Sequence, residues 1–235
     1  MPSTCFPIES RSMTAWQPRN HPVEAIAFDC DGLLVDTETC WTAAEATIMA
    51  RHGWEFTPEI KARFIGTTID WTVARMAEWF DRVGEEAAIK AELTDTVAQI
   101  IADQAEAMPG ALDLVRAVHG KLPVAVVSNS ERRLVELALT HGGLADAFEV
   151  IVPAESVAHG KPAPDLYLRA CELLGVAPSR TLAFEDSLVG VNAAKAAGVT
   201  VVGVPTVGQD GFAPDHLLTT LADPGLQAWA RGLRG

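Results

Sequence analysis

The chain is poor in basic residues, in closely spaced cysteines and in long apolar runs. Its 235 residues carry 18 Lys and Arg against 31 Asp and Glu, so the formal net charge is −13. A protein that binds the phosphate backbone of a nucleic acid needs a basic patch, and this balance argues against a nucleic-acid partner. A small phosphorylated ligand stays compatible, because a metal ion or a few cations can reverse the field inside one cleft.

The four cysteines show no CxxC pair and no zinc-like spacing; they are Cys5, Cys30, Cys40 and Cys171. We therefore expect free thiols in a reducing compartment and a cytoplasmic location. No stretch approaches the roughly 20 apolar residues of a membrane span, so no membrane partner is expected. Residues 1–22 lack an apolar run of signal-peptide length, and we predict a flexible N-terminal extension with Met13 as an alternative start.

Strand-like and helix-like segments alternate along most of the chain. Short apolar runs predict buried strands at 24–29, 123–128, 148–152, 181–185 and 199–204. Helical segments with recognisable start and stop signals lie at 111–120, 130–143, 164–175 and 187–198. The second and fourth of these helices are predicted to begin with a Ser cap. This order predicts an α/β fold with right-handed βαβ units around a parallel sheet.

Residues 38–107 break this alternation. Apolar residues recur there at helical spacing, and we predict four helices at about 39–52, 58–64, 69–82 and 85–106. The segment 38–107 is therefore predicted to be an all-helical domain inserted into a core made of 23–37 and 108–235. Near the end of the chain we expect a loop from Pro205, a short helix at about 214–221, and a peripheral tail over the last ten residues.

Carboxylates follow the first predicted strand in the stretch AIAFDCDGLLVDTE, residues 25–38. Asp29 and Asp31 lie just past the apolar run, at the strand end where open α/β sheets bind ligands. Two carboxylates so close repel each other unless one is protonated or a cation lies between them, and hard oxygen ligands suit Mg²⁺. A calcium loop that starts at Asp29 is excluded, because its twelfth position is Cys40 and not Glu. A plain acidic turn remains the alternative.

Polar residues also follow the later predicted strands. Asn129 and Ser130 stand at a helix start, where a hydroxyl and backbone amides form an anion site or a plain N-cap. Lys161 is presented by the proline-stiffened stretch GKPAPD, and Glu185 and Asp186 end TLAFED, where acids can also complement a helix dipole. Because the carboxyl ends of parallel strands share one edge of a sheet, we expect these residues to meet in one crevice.

Four motifs occur in order along the chain: FDCDGLLVDTE, VVSNS, GKPAPD and FEDS. With these motifs and the helical insert after the first, residues 23–221 resemble the helical-cap phosphatase and phosphomutase branch of the haloacid dehalogenase superfamily. The resemblance implies a Rossmann-like three-layer core with a parallel sheet, and a four-helix cap that closes over the site. It leads us to expect an Mg²⁺-dependent phosphatase that hydrolyses a small phosphorylated metabolite through an aspartyl-phosphate. We expect a monomer or a weak dimer.

The resemblance also implies which residues perform the chemistry. Asp29 would be the nucleophile, and Asp31 the general acid and base. The ligands of Mg²⁺ would be the Asp29 carboxylate, the Asp31 backbone carbonyl and Asp186. Glu185 would reach a water bound to the metal.

A second group of residues is expected to bind the phosphoryl group. The resemblance implies that Ser128 and the backbone amide of Asn129 bind the phosphoryl oxygens, with Gly32 beside them. Lys161 would neutralise charge on the transferring group and orient Asp29.

Two alternatives to a phosphatase stay open. A β-phosphoglucomutase carries a His after the first motif and an Arg in the cap; Trp41 and Ile69 stand at those places here, which favours the phosphatase. A catalytically idle binding module on the same fold would usually have lost Asp29, Asp31 or Lys161, and all three are present.

Residues of the helical insert are expected to serve packing, cap closure and substrate contact. Trp79 is predicted to pack inside the cap, whereas Trp41 and Trp71 are candidates for contact with the substrate. Asp36 and Glu38 fall at the hinge into the cap, so we expect them to serve cap closure or a helix start, not the chemistry.

Overall fold

The computed structural model describes residues 22–65, 67–206 and 210–234. Within these residues six strands form one parallel sheet: β1 (Ala25–Phe28), β2 (Val124–Val127), β3 (Val150–Val152), β4 (Thr181–Glu185), β5 (Thr200–Gly203) and β6 (His216–Leu217). Their order in the sheet is β3-β2-β1-β4-β5-β6. The predicted parallel α/β sheet is confirmed, and β1 lies at its centre between β2 and β4.

The described residues also contain nine α-helices: α1 (Glu38–Arg51), α2 (Pro58–Phe64), α3 (Ile69–Trp79), α4 (Glu86–Gln104), α5 (Ala111–Val118), α6 (Arg132–His141), α7 (Asp165–Leu174), α8 (Leu188–Ala196) and α9 (Pro224–Gly232). Helices α7 and α8 cover one face of the sheet, whereas α5, α6 and α9 cover the other. The core therefore has three layers, as predicted.

Alternate residues of the central strand explain why both faces of the sheet are covered. Ile26 and Phe28 join the apolar cluster under α5, α6 and α9, whereas Ala27 joins the cluster under α7 and α8. Side chains alternate between the faces of a strand, so a strand that is apolar throughout needs a cover on both sides. Residue Ile26 is paired with Val124 of β2 and Leu182 of β4, which fixes the register at the centre of the sheet.

Helices α1 to α4, called the cap below, follow β1 consecutively. The chain enters and leaves the cap through two adjacent segments: the N–H of Asp36 donates to the carbonyl of Glu106, and the N–H of Met108 donates to that of Leu34, both at 2.9 Å. The cap is thus attached to the core directly beyond the end of β1. The domain limits 38–107, and 23–37 with 108–235, stay predictions.

Two predictions near the C-terminus are wrong. Strand β6 lies where a helix was predicted at 214–221, and it pairs with β5. The expected tail belongs largely to α9, whose Leu226 is fully buried. The N-terminus of this helix is capped, because the Asp223 carboxylate accepts the N–H of Leu226 at 2.9 Å and Pro224 occupies the first turn.

One of the two predicted Ser caps is also wrong. The N-cap of α6 is Glu131, without a side-chain bond, and the hydroxyl of Ser130 donates to Asp31 instead. The other prediction is confirmed: Ser187 caps α8 by accepting the N–H of Gly190 at 3.2 Å.

The predicted N-terminal extension, with Cys5 and Met13, lies outside the described residues apart from Pro22. The other three cysteines, Cys30, Cys40 and Cys171, are buried free thiols. Among the described residues, no helix combines the length and the apolar character that crossing a membrane requires.

Candidate active site

The carboxyl ends of β1 and β4 bring three predicted site residues together. Asp29 follows β1, and its N–H donates to the carbonyl of Phe184 in β4 at 3.0 Å. Glu185 ends β4 and Asp186 follows it. One carboxylate oxygen of each of Asp29, Glu185 and Asp186 lies within 4.8 Å of the others, and all three residues are buried. We call this cluster the acidic triad.

The ammonium group of Lys161 lies against the acidic triad. It donates to the Asp29 carboxylate, to Glu185 Oε1 at 2.6 Å and to the Val127 carbonyl at 2.8 Å, and its side chain is 3% exposed. Asn129 fixes the loop that carries it: the N–H of Lys161 donates to Asn129 Oδ1 at 2.8 Å, and Asn129 Nδ2 donates to the Lys161 carbonyl at 3.1 Å. The lysine is therefore held in place by both side chain and backbone.

Three buried carboxylates lie around this one ammonium group, which bonds two of them, so the cluster has an excess of negative charge when all three are ionised. Burial raises the pKa of Asp29 well above its usual range, and Lys161 offsets this only in part. Burial and the neighbouring Glu185 raise the pKa of Asp186 to about 8. Burial lowers the pKa of Lys161, but the Asp29 and Glu185 carboxylates raise it more, so the lysine stays charged.

This excess charge is the property that a divalent cation would relieve. Carboxylate oxygens that converge in a buried site are the ligands that Mg²⁺ takes in proteins, and the charge of the ion would compensate them. The donor set of the acidic triad therefore fits the predicted metal.

Both carboxylate oxygens of Glu185 are hydrogen-bonded. Oε1 accepts from Lys161 and from the hydroxyl of Tyr167, each at 2.6 Å, and Oε2 accepts from Ser187 at 3.3 Å. The lysine ammonium also lies 5.4 Å from the centre of the Tyr167 ring. Tyr167 is the single tyrosine of the chain and is fully buried. The sequence does not mark Tyr167 as a site residue, because a tyrosine on the apolar face of a helix has the pattern of a core residue.

Three hydroxyl groups surround the carboxylate of Asp31. Thr37 donates to Oδ1 at 2.7 Å, while Ser128 and Ser130 donate to Oδ2 at 2.7 and 2.9 Å. Ser128 was expected on the phosphoryl group, and its hydroxyl hydrogen bond goes to Asp31 here. Thr37 stands between Asp36 and Glu38, the two acids expected at the hinge. The stretch DTE gave no sign that its threonine side chain turns back toward Asp31.

Gly32 lets the backbone pass close to Asp186. Its φ is +78°, in the left-handed region that favours glycine, and a Cβ there would lie 2.6 Å from Asp186 Oδ2. The same carboxylate oxygen accepts the hydroxyl of Thr206 at 3.3 Å. A side chain at position 32 would therefore be strained and would also displace a member of the acidic triad.

The tryptophans of the cap differ in their surroundings. Trp79 stacks on Trp54 at 5.6 Å and on Phe64 at 5.9 Å between ring centres, in line with the expected packing role. Trp41 packs against the same apolar cluster that contains Ile26 and Phe28, and Trp71 is 42% exposed. Contact of Trp41 or Trp71 with a substrate stays a prediction.

Comparison with known proteins places this chain in a family. The family model of haloacid dehalogenase-like hydrolases matches residues 23–198. The fructose-1-phosphate phosphatase YqaB of Escherichia coli K12 is 32% identical over 180 residues, which are 76% of this chain and 95% of that protein. Protein CbbY of Rhodobacter capsulatus is 36% identical over 222 residues, which are 88% of this chain and 97% of that protein. The crystal structure of CbbY from Rhodobacter sphaeroides in complex with phosphate superposes with a TM-score of 0.76 at 29% identity, covering 86% of this chain and 96% of that one. The resemblance drawn from the four motifs is confirmed, and the chain belongs to the haloacid dehalogenase-like hydrolase family of enzymes.

Proposed function

We propose that the chain is an Mg²⁺-dependent phosphatase that hydrolyses a small phosphomonoester through an aspartyl-phosphate on Asp29. The observation that carries the proposal is the buried acidic triad with Lys161 hydrogen-bonded to two of its members. A buried carboxylate nucleophile beside a fixed cation suits attack on a phosphoryl group, which depends on positioning and charge compensation. The name of the YqaB relative supports a sugar phosphate as the kind of substrate.

Three groups of the chain would hold the metal ion: the carboxylates of Asp29 and Asp186 and the backbone carbonyl of Asp31. Glu185 would contact a water on the metal, while Tyr167 and Lys161 keep its carboxylate in place. When bound, the ion supplies positive charge that allows a phosphate dianion to approach Asp29.

The first half-reaction transfers the phosphoryl group to the enzyme. A carboxylate oxygen of Asp29 attacks phosphorus, the bond from phosphorus to the ester oxygen breaks, and Asp31 gives its proton to that departing oxygen. Lys161 and the backbone amide of Asn129 stabilise the charge on the phosphoryl oxygens, while Ser128 keeps its hydrogen bond to Asp31. The products of this step are the free alcohol and the aspartyl-phosphate.

The second half-reaction returns Asp29 to its starting state. The ionised Asp31 takes a proton from a water molecule, whose oxygen attacks phosphorus, and the bond to Asp29 breaks to release inorganic phosphate. A hydroxyl can donate or accept, so Thr37, Ser128 and Ser130 can bind Asp31 in both protonation states. These three hydroxyl groups therefore suit a carboxyl group that acts first as an acid and then as a base.

The test compares the wild-type enzyme with Asp29→Asn and with Asp103→Asn, a matched change at an exposed aspartate of α4. Hydrolysis of p-nitrophenyl phosphate and of sugar monophosphates is measured with Mg²⁺ and after chelation. We expect chelation and Asp29→Asn each to lower kcat/KM by about 10³-fold or more, and Asp103→Asn to match wild type. Turnover that survives chelation or Asp29→Asn would overturn the proposal.

The same assays separate the two alternatives. A mutase would convert β-glucose 1-phosphate to glucose 6-phosphate without releasing inorganic phosphate, and an idle binding module would turn over none of the esters. Release of phosphate from every ester that reacts is the result expected of the phosphatase.

A further inference from the structure

Lys161 lies in a long loop, although its ammonium group has a closely defined position. The loop runs over residues 153–164, between β3 and α7. The ammonium nevertheless donates to Asp29, to Glu185 at 2.6 Å and to the Val127 carbonyl at 2.8 Å. A lysine has a flexible four-carbon stem, so the position of its ammonium depends on how firmly the backbone of the residue is held.

The side-chain amide of Asn129 holds that backbone at two points. Its Oδ1 accepts the N–H of Lys161 at 2.8 Å, and its Nδ2 donates to the carbonyl of Lys161 at 3.1 Å. Among the described residues, no other group bonds this N–H or this carbonyl. An amide side chain carries an acceptor and a donor side by side, so Asn129 satisfies both backbone groups with one short side chain.

Gly160 leaves the space that this amide occupies. A Cβ on Gly160 would lie 2.6 Å from Asn129 Oδ1 and 3.4 Å from its Cγ, and the three nearest heavy atoms beyond the chain neighbours all belong to Asn129. The φ of Gly160 lies outside the left-handed region, so the backbone conformation does not itself require glycine. The glycine before Lys161 is therefore explained by the close approach of the Asn129 side chain.

The residues beside Asn129 hold two other parts of the same loop. Val127, two residues earlier, accepts from the ammonium of Lys161 through its carbonyl. The N–H of Ala154 donates to the carbonyl of Ser130 at 3.1 Å. The chain around Asn129 therefore contacts the start of the loop, the backbone of Lys161 and the end of its side chain.

We propose that the side chain of Asn129 is the positioning residue for Lys161, and that Gly160 is its necessary partner. The two hydrogen bonds fix the backbone of Lys161, which keeps its ammonium between Asp29 and Glu185. Because the backbone amide of Asn129 is the expected contact of the phosphoryl oxygens, one residue then sets the distance between that amide and the lysine charge. This inference rests on the proposed phosphatase function and gives the Asn129 side chain a role separate from its backbone.

The first test is Asn129→Ala, which removes the side-chain amide and keeps the backbone amide. Hydrolysis of p-nitrophenyl phosphate is measured at saturating Mg²⁺. We expect kcat to fall about tenfold or more, because a displaced ammonium no longer compensates the charge of the transferring group, while KM changes less than about threefold. Asn192→Ala in α8 is the matched control, since this asparagine is exposed, and both values should equal those of wild type.

Gly160→Ala tests the same contact from the other side. The added methyl group pushes the Asn129 amide away, so this variant alone should lower kcat about as much as Asn129→Ala. In the double variant Asn129→Ala/Gly160→Ala the methyl group enters the space that the amide has left, so kcat should lie within about twofold of that of Asn129→Ala. Two independent defects would instead multiply to a loss of about a hundredfold, and that result would overturn the proposal. Both positions are exposed, so neither change removes core packing.

Hydrogen exchange of the metal-free protein measures the two hydrogen bonds without any turnover. The N–H of Lys161 loses its acceptor in Asn129→Ala, so exchange in peptides from the loop 153–164 should become about tenfold faster. Peptides of α8 should exchange as in wild type. A thermal melt of each variant checks that the fold is intact.

The possible failures are distinguishable. If wild type hydrolyses no ester, the phosphatase proposal fails, and the exchange result alone decides whether Asn129 holds Lys161. If wild type is active, full kcat in Asn129→Ala, or a loss confined to KM, overturns the positioning role. A fall in kcat with unchanged exchange in the loop would also overturn it, because the loss would then not come from the loop that carries the lysine.

Discussion

Tyr167 reaches the acidic triad from α7 and donates to Glu185 in a region from which water is excluded. A buried carboxylate oxygen without a partner costs free energy, and groups that fix a metal-binding carboxylate tune its affinity for the ion. Lys161 and Ser187 also donate to the Glu185 carboxylate, and the phenol hydroxyl is the third donor. Tyr167 therefore contributes to fixing where the carboxylate lies.

We expect Tyr167→Phe to weaken metal activation while the protein stays folded. The substitution removes one hydroxyl and keeps the ring, so packing is preserved and only the hydrogen bond to Glu185 is lost. The Mg²⁺ concentration for half-maximal activity should rise about tenfold, with a smaller change in kcat at saturating metal. The measurement is a titration of phosphatase activity with Mg²⁺.

The matched control for this variant is Cys171→Ala, one helical turn further along α7. Cys171 Sγ lies 3.5 Å from Thr181 Oγ1 at the start of β4, so the change also removes a polar contact between α7 and β4, away from the triad. Equal metal dependence in Tyr167→Phe and wild type, or an equal shift in Cys171→Ala, would show that Tyr167 is only a packing residue.

The charged residues of the site are easier to recognise in the sequence than its hydroxyls. Asp29, Glu185 and Lys161 were identifiable, since carboxylates and a lysine that follow apolar strands in a recognisable motif have few structural reasons to be there. Thr37 and Tyr167 were not identifiable, because a hydroxyl forms a hydrogen bond with whichever polar group the tertiary fold brings near it. Tyr167 is 18 residues away from its partner Glu185 in the sequence. Charge is therefore visible in a sequence, whereas the partner of a neutral hydroxyl is set by packing.

At the level of elements, the first turn of α8 leaves space for the Glu185 carboxylate because it carries a glycine. Gly190 lies in that turn, and a Cβ there would stand 1.9 Å from Glu185 Oε2. The clash is with the end of a side chain, so the helix can form with alanine but the carboxylate must move away from Lys161 and Tyr167. The glycine of α8 is therefore required by the site and not by the helix.

We expect Gly190→Ala to lower kcat/KM by at least about tenfold without unfolding the protein. Alanine favours a helix by about 1 kcal/mol over glycine, which offsets part of the cost of displacing Glu185. Gly232→Ala in α9 is the control, because nothing lies within 4 Å of a Cβ there and activity should not change. Steady-state kinetics with a thermal melt check both variants, and full activity in Gly190→Ala would disprove the requirement.

Helix α9 shows how packing decides an element that its sequence leaves ambiguous. The segment has an Asp cap and a Pro in its first turn, but it is nine residues long and contains glycines, so its own helical preference is weak. Its burial against α5 supplies the stability that the sequence does not reveal. Strand β6 is similar, since two residues paired with β5 give no alternating pattern that could be recognised.

We expect Leu226→Ala to destabilise the fold by about 2–5 kcal/mol, because Leu226, a residue of α9, is fully buried. Leu217→Ala in β6 is the control, since that side chain is 64% exposed and its loss should cost within about 0.5 kcal/mol. Urea unfolding of the two variants and wild type gives both values. Equal midpoints for Leu226→Ala and wild type would mean that α9 does not contribute to the core.

At the scale of the whole molecule, the excess charge of the acidic triad links stability to pH and to metal. A carboxyl group whose pKa is raised by folding holds a proton that the unfolded chain has already released. Burial and Glu185 raise the pKa of Asp186 from 3.8 to about 8. Its contribution to the stability of the metal-free protein is therefore complete below the unfolded pKa and is lost as pH rises through about 8.

We expect the free energy of unfolding of the metal-free protein to fall by up to about 1.4 kcal/mol per pH unit between about pH 5 and pH 8 from this group. Asp186→Asn should flatten that slope, because the amide does not titrate, and should raise the stability of the metal-free protein at pH 8.

Excess Mg²⁺ should stabilise wild type by about 2.7 kcal/mol at a hundred times its dissociation constant, since the ion binds only the folded chain. The same addition should leave Asp186→Asn nearly unchanged. Urea unfolding across this pH range, in chelator and in Mg²⁺, measures all five quantities. A wild-type slope equal to that of Asp186→Asn in chelator would show that Asp186 holds no extra proton in the fold.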